Sequence, residues 1–251
     1  MSGHSHWAKV KRAKASTDAR RGREWSKLAR RIIVAAKSGG NPDDNLTLRY
    51  AVDDAKAANM PNDTIDKAIK KGTGELGAEN YEQIVYEGYG PGGVAFLIDC
   101  LTDNRNRTAP DMRKIFERGG GQLGSTGCVA YLFQQRGQFV IADDQTDEDT
   151  LVEIAIDNGA DDVVSGKGFF EITCDTSAYG DVKAALAARG IATIEGGIAM
   201  VPSSTVAVAA DKARQVLALL EALEDHDDVQ KVYANFELPD EVMAEIESEA
   251  G

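Results

Sequence analysis

IVYEGYGPGGVAFLIDCLTDNRNRTAPDMRKIFERGGG, residues 84–121, is the run on which the choice of fold turns. Gly88, Gly90 and Gly93 satisfy G-x-G-x-x-G after a run that reads as a strand, so a dinucleotide-binding unit has to be weighed. Such a loop needs a helix to begin at once, so that its first amides meet the pyrophosphate. Here the strand-like VAFLIDCL follows, and Pro91 stands inside the loop. The better reading is a Gly/Pro turn joining two strands. Further on, Thr108 can cap a helix, Pro110 fits its first turn, and a helix is expected over about 109–118, stopped at Gly119.

Downstream, CVAYLF (128–133) reads as the strand that closes this strand-helix-strand unit. Much later TVAVA (205–209), a helix over about 211–223 and VQKVYANFEL (229–238) repeat it. Between the halves lie QFVIAD, the TDEDTLVEIAIDNG helix, ADDVV, FFEITC, the YGDVKAALAARG helix and IATIEGGIAMV, a complete β-α-β-β-α-β series. The expected class is α+β, with two ferredoxin-like domains, the second inserted into the first. Helices returning to antiparallel strands cover one sheet face, so the other is expected to be available for packing or binding.

Upstream the period is helical. On one face of a helix over 23–38 fall Trp25, Leu28, Ala29, Ile32 and Ala36; on the other fall Lys27, Arg30, Arg31 and Lys37. Helices over about 46–58 and from Pro61 or Asn62 to just before Gly72 follow, and GTGELGAEN marks a boundary. The expected domains are 1–80, helical with a basic head; 81–134 plus 201–251, split; and 135–200, inserted.

Net charge is −13, but it is unevenly spread. Residues 1–37 hold 11 Lys and Arg against two acids, a balance of +9, whereas residues 81–251 hold 12 against 31, a balance of −19. Such polarity hints at nucleic-acid or membrane contact. No apolar run approaches membrane-spanning length and the N-terminus lacks a signal-peptide core, so a cytoplasmic protein without membrane attachment is expected. Cys100, Cys128 and Cys174 fit reduced thiols.

Lys9, Lys11, Arg12, Lys14, Arg20, Arg21, Arg23, Lys27, Arg30 and Arg31 are the candidate phosphate contacts, with Trp7 able to stack on a base or on a helix. In TDNRNRT, Arg105 and Arg107 alternate with Asn104 and Asn106, which suits phosphate or RNA as well as a local ion-pair cluster with Asp103 and Asp111. RGGGQLGSTG could form an anion nest but lacks the P-loop lysine; a helix stop and a mobile connection are expected there. Acidic runs such as EDHDD read as solvated faces or caps rather than acid/base pairs. His4 and His6 alone do not make a metal site, and no nucleophile stands with a base. Neither catalysis, cofactor, metal nor small-molecule substrate is expected.

GHSHWAKVKRAKASTDARRGREWSKLARRI, AANMPNDTIDKAIKKGTG, YEGYGPGGVAFLIDCLTDNRNRT, GGQLGSTGCVAYLF and DDVQKVYANFEL together resemble the bacterial YebC family, whose relatives include the mitochondrial translational activator of cytochrome c oxidase subunit I. The resemblance covers nearly the whole chain. His6, Arg31 and Cys128 depart from the usual Lys, acid and Ser. It implies a helical domain followed by two α+β domains, no enzyme activity, and either DNA binding with transcriptional control or ribosome association that assists translation, including of proline-rich stretches. DNA or ribosomal RNA is therefore the expected partner. A scaffold whose acidic part docks on basic proteins is the alternative from another class.

Overall fold

The computed structural model describes residues 18–77, 80–166, 168–239 and 241–242, and of residues 18–20 the backbone alone. Three helices come first: α1 (Asp18–Ala36), α2 (Leu46–Ala57) and α3 (Asn62–Gly72). Leu28, Ile32, Ile33 and Ala36 pack against Leu48, Ala51 and Ala55 of α2 and Ile65 and Ala68 of α3. One side chain joins two of these helices. Asn45 Oδ1 accepts from the Leu48 amide at 3.1 Å, while its Nδ2 donates to the carbonyls of Ala35 and Gly39 at 2.8 Å. Gly72 is the last residue of α3 rather than the residue after it. A Cβ there would press on the Ile33 carbonyl oxygen and lie 2.6 Å from Ala36 Cβ, so α3 closes on α1 only without a side chain.

β1 (Glu82–Tyr89) and β2 (Ala95–Thr102) form an antiparallel hairpin, paired from Glu82 with Thr102 to Tyr89 with Ala95. Gly88 and Tyr89 of GYGPGG still belong to β1, and residues 90–94 turn the chain into β2, with Gly92 and Gly93 at φ of 73° and 78°. α4 (Arg105–Arg118) starts four residues earlier than expected because Asn104, not Thr108, caps it: Asn104 Oδ1 accepts from the Arg107 amide at 3.2 Å. β3 (Gln122–Leu123) follows, and after the insertion come β8 (Val206–Ala207), α7 (Ala210–Glu224), β9 (Val229–Ala234) and β10 (Phe236–Glu237). The sheet order is β3-β1-β2-β9. α4 and α7 cover one face, where Met112, Phe116, Val216 and Leu220 bury Phe96, Ile98 and Val232.

Two expected strands are placed differently. CVAYLF is not the closing strand: Ala130–Leu132 is a 3-10 turn, and the strand begins only at Phe133. Glu87 pulls the amides of Val129 and Ala130 onto its carboxylate, which curls this apolar run. TVAVA does not enter the large sheet either; β8 pairs in parallel with β10. The place beside β2 goes instead to β1, delivered by the hairpin. VQKVYANFEL breaks at Asn235, whose Oδ1 accepts from the Ala95 amide at 2.8 Å.

The inserted unit follows β4 (Phe133–Ala142), α5 (Glu148–Asp157), β5 (Ala160–Gly166), β6 (Phe169–Cys174), α6 (Tyr179–Ala188) and β7 (Thr193–Pro202). Its order β5-β6-β4-β7, antiparallel throughout, is ferredoxin-like. The large sheet has the same spatial order with one strand supplied from upstream. Both are thus α+β units, the second inserted into the first. The second face of the large sheet is not left bare: Phe133 of β4 and Ala199 of β7 pack with Ala95, Leu97 and Tyr233. No helix among the described residues is long and apolar enough to cross a membrane.

Candidate nucleic-acid interface

Periodicity places the α1 cations on one side of the helix, and the structure adds what they meet. Lys9, Lys11, Arg12 and Lys14 lie outside the described residues, as does the side chain of Arg20. Arg23 pairs with Asp225 at 3.3 Å. The Lys27 ammonium donates to the Glu224 carbonyl, and Arg30 donates to the Asp227 carbonyl and pairs with Asp228 at 3.2 Å. Arg31 pairs with Asp54 of α2 at 2.9 Å. The EDHDD turn after α7, expected to be a solvated face, is therefore the seat of the basic helix. Arg21, Arg23, Lys27 and Arg31 also line a cleft of about 570 Å³ between α1, α7, β9 and β7, facing Glu195, Glu221 and Glu224. The side-chain amide of Gln230 lines the same cleft, buried and without a hydrogen-bond partner among the described residues.

Asp228 organises the junction. It is 2% exposed and accepts from Thr108 Oγ1 at 2.7 Å, Thr102 Oγ1 at 3.1 Å and Arg107 at 3.1 Å, besides its pair with Arg30. Burial pushes its carboxyl up, but the bonds from Thr108 and Arg107 and the charges of Arg107 and Arg30 outweigh that, so its pKa is lowered. TDNRNRT is thus partly the local cluster weighed from sequence: Arg107 also holds Asp103 at 2.9 Å. Asp111 instead faces His226, 3.6 Å from its Nε2. Arg105 is exposed and makes no hydrogen bond or ion pair with a described residue. Neither Asp228 nor its role is legible in the sequence, because its partners lie more than 100 residues away.

The glycine-rich loop does form an anion nest, and its anion belongs to the chain. Glu87, 3% exposed, accepts from Gly127 at 2.6 Å and from Val129 and Ala130 at 2.8 Å. Desolvation raises its pKa, the three amides lower it, and the net direction is down. The loop is anchored rather than a mere connection. Cys100 is fully buried, and burial first, then Asp228 and Asp99, push its thiol up to about 12, which removes it as a nucleophile at neutral pH. Among the described residues no group of three or more His, Cys, Asp or Glu side chains is placed to hold a metal ion.

Known proteins share the sequence, and a solved structure shares the fold. A family model described as the TACO1/YebC protein N-terminal domain matches residues 5–75, and one described as the TACO1/YebC second and third domain matches residues 81–236. A protein of Pelotomaculum thermopropionicum named a probable transcriptional regulatory protein is 49% identical over 243 residues, covering 96% of this chain and all of the relative. One of the same name from Syntrophobacter fumaroxidans is 51% identical over 98% of this chain and all of its own. Among solved structures, the crystal structure of a conserved hypothetical protein, Aq1575, from Aquifex aeolicus superposes with a TM-score of 0.82 at 45% identity, over 91% of this chain and 95% of that one.

Proposed function

The chain belongs to the TACO1/YebC family, and on that basis we propose that it is a non-enzymatic, cytoplasmic, nucleic-acid-binding regulator of gene expression, acting on DNA through its basic N-terminal end. The observation that carries this reading is the charge division. A head of +9 on a body of −19 turns its basic end toward phosphate and its acidic end away. The names of the relatives, probable transcriptional regulatory proteins, support control of transcription. Because Arg23, Lys27 and Arg30 are held by the α7–β9 turn and Arg31 by Asp54, the contacts are assigned first to Lys9, Lys11, Arg12, Lys14 and Arg20.

One observation favours a second reading, in which the phosphates are those of ribosomal RNA and the protein assists translation. α1, DARRGREWSKLARRIIVAA, contains no Asn or Gln, and its Arg30 and Arg31 are paired, so it offers little with which to read base edges. Backbone contact suits folded RNA as well as duplex DNA. Crosslinking the protein to nucleic acid in cells and sequencing the recovered fragments separates the two. Enrichment at promoters supports the first reading; a dominant peak in 23S ribosomal RNA replaces it with the second. Recovery no better than from a control lacking the protein would sink both.

A further inference from the structure

The −19 balance of residues 81–251 hides one helix of opposite sign. α4, RNRTAPDMRKIFER, carries five Lys and Arg against two acids, so five of the twelve cations in that part of the chain fall within 14 positions. Packing sorts them. Thr108, Met112 and Phe116 are buried toward the sheet, which at about 100° per residue turns Asn106, Arg113, Lys114, Glu117 and Arg118 outward, and all five are exposed. Arg107 is engaged by Asp103 and Asp228. Arg105, Arg113, Lys114 and Arg118 make no hydrogen bond or ion pair with a described side chain. α7, beside α4 on the same sheet face, interleaves Lys212 and Arg214 with Asp211, Glu221 and Glu224, the mixture of an ordinary solvated face. The outer arc of α4 holds a single acid, Glu117.

The position of this stripe matters as much as its sign. Asp228 accepts from Arg107 in the first turn of α4 and pairs with Arg30 of α1, so α4 starts where the basic helix docks. We propose that the exposed face of α4, with Arg113, Lys114 and Arg118, joined by the exposed Arg105 at the helix start, is a second phosphate-contact surface. It carries the track of the N-terminal segment onto the split α+β unit and takes the sugar–phosphate backbone of the same nucleic acid. This rests on the nucleic-acid reading above. Such contacts position a partner without reading its sequence, and each one releases counterions.

The test uses the full chain, wild type and R113E/K114E/R118E, with a DNA duplex of about 30 base pairs and a folded ribosomal RNA fragment as probes, from about 50 to 200 mM salt. The triple variant is expected to bind at least about tenfold more weakly at low salt, and the slope of log affinity against log salt to shrink by up to about 2.7 on the duplex, at about 0.9 per phosphate contact. The probe that shows this loss identifies the nucleic acid. Lys212 and Arg189, exposed elsewhere, supply the control R189E/K212E, which is expected to bind as wild type does. An unchanged urea midpoint establishes that the triple variant is folded. Wild-type affinity and slope in the triple variant, or an equal loss in the control, overturns this surface and leaves the N-terminal reading standing. Failure of the wild type to bind either probe overturns both.

Discussion

At Asp228 segments far apart in sequence meet: α1 through Arg30, and the β2–α4 junction through Thr102, Arg107 and Thr108. Removing one member of a buried charged cluster strands the others, so D228A is expected to lose about 3–5 kcal/mol in urea unfolding. The sign of the pH effect follows from its lowered pKa. The stabilisation is present above the ordinary carboxylate value, about 3.9, and is lost as pH falls through the lower folded-state value. Glu87 has the same sign. The urea midpoint should therefore owe no change to these two groups between about pH 5 and 8 and decline below about pH 4; D228N and E87Q each flatten that decline, and an unflattened profile contradicts the assignment. A thiol reagent at about pH 8 should find Cys128, half-buried, before Cys100, whose burial raises its pKa. Rapid labelling of Cys100 in folded protein contradicts its burial. Residues of this kind are the least legible part of the chain. Arg107 and EDHDD can each be singled out, but nothing local joins position 107 to position 228.

Helices are easier to read than short strands, for a physical reason. An amphipathic helix announces itself over three or four turns, as Leu28, Ile32 and Ala36 do, whereas a five- or six-residue apolar run has no period of its own. CVAYLF and TVAVA both read as strands of the main sheet. The first is curled by the Glu87 carboxylate and the second is drawn to β10. The G-x-G-x-x-G motif is resolved correctly because its reading depends on the element that follows, and β2 does follow. Close helix contact yields a prediction at this scale. Gly72→Ala places a methyl against the Ile33 carbonyl and Ala36, and thermal unfolding should register about 1–3 kcal/mol of destabilisation. The exposed Gly180, where an added Cβ would meet nothing within 4 Å, should accept alanine without loss. Equal stability of the two variants would contradict the packing of α3 on α1.

Across the whole molecule, the helical unit, the split unit and the inserted unit each bury a separate cluster, and polar contacts tie them together. Lys183 of the inserted unit lies over the Tyr50 ring of α2 at 5.5 Å, and Lys27 and Arg30 seat α1 on the turn after α7. K27E/R30E should therefore loosen the helical unit from the rest, seen as a larger radius of gyration in small-angle scattering; an unchanged radius contradicts a latch at that turn. The order of the units is legible because each carries its own periodicity. Their mutual seating is not, since it depends on where a basic face finds an acidic turn. With Arg23, Lys27 and Arg30 used in that seating and Arg31 paired with Asp54, the phosphate contacts fall first to the cations upstream of them. The decisive measurement is nucleic-acid binding of K9E/K11E/R12E/K14E against wild type over a salt series. Four lost phosphate contacts should flatten the salt slope on duplex DNA by about 3.6 and weaken binding about a hundredfold at low salt. An identical slope and affinity in the two proteins would contradict the basic head as the phosphate-binding surface.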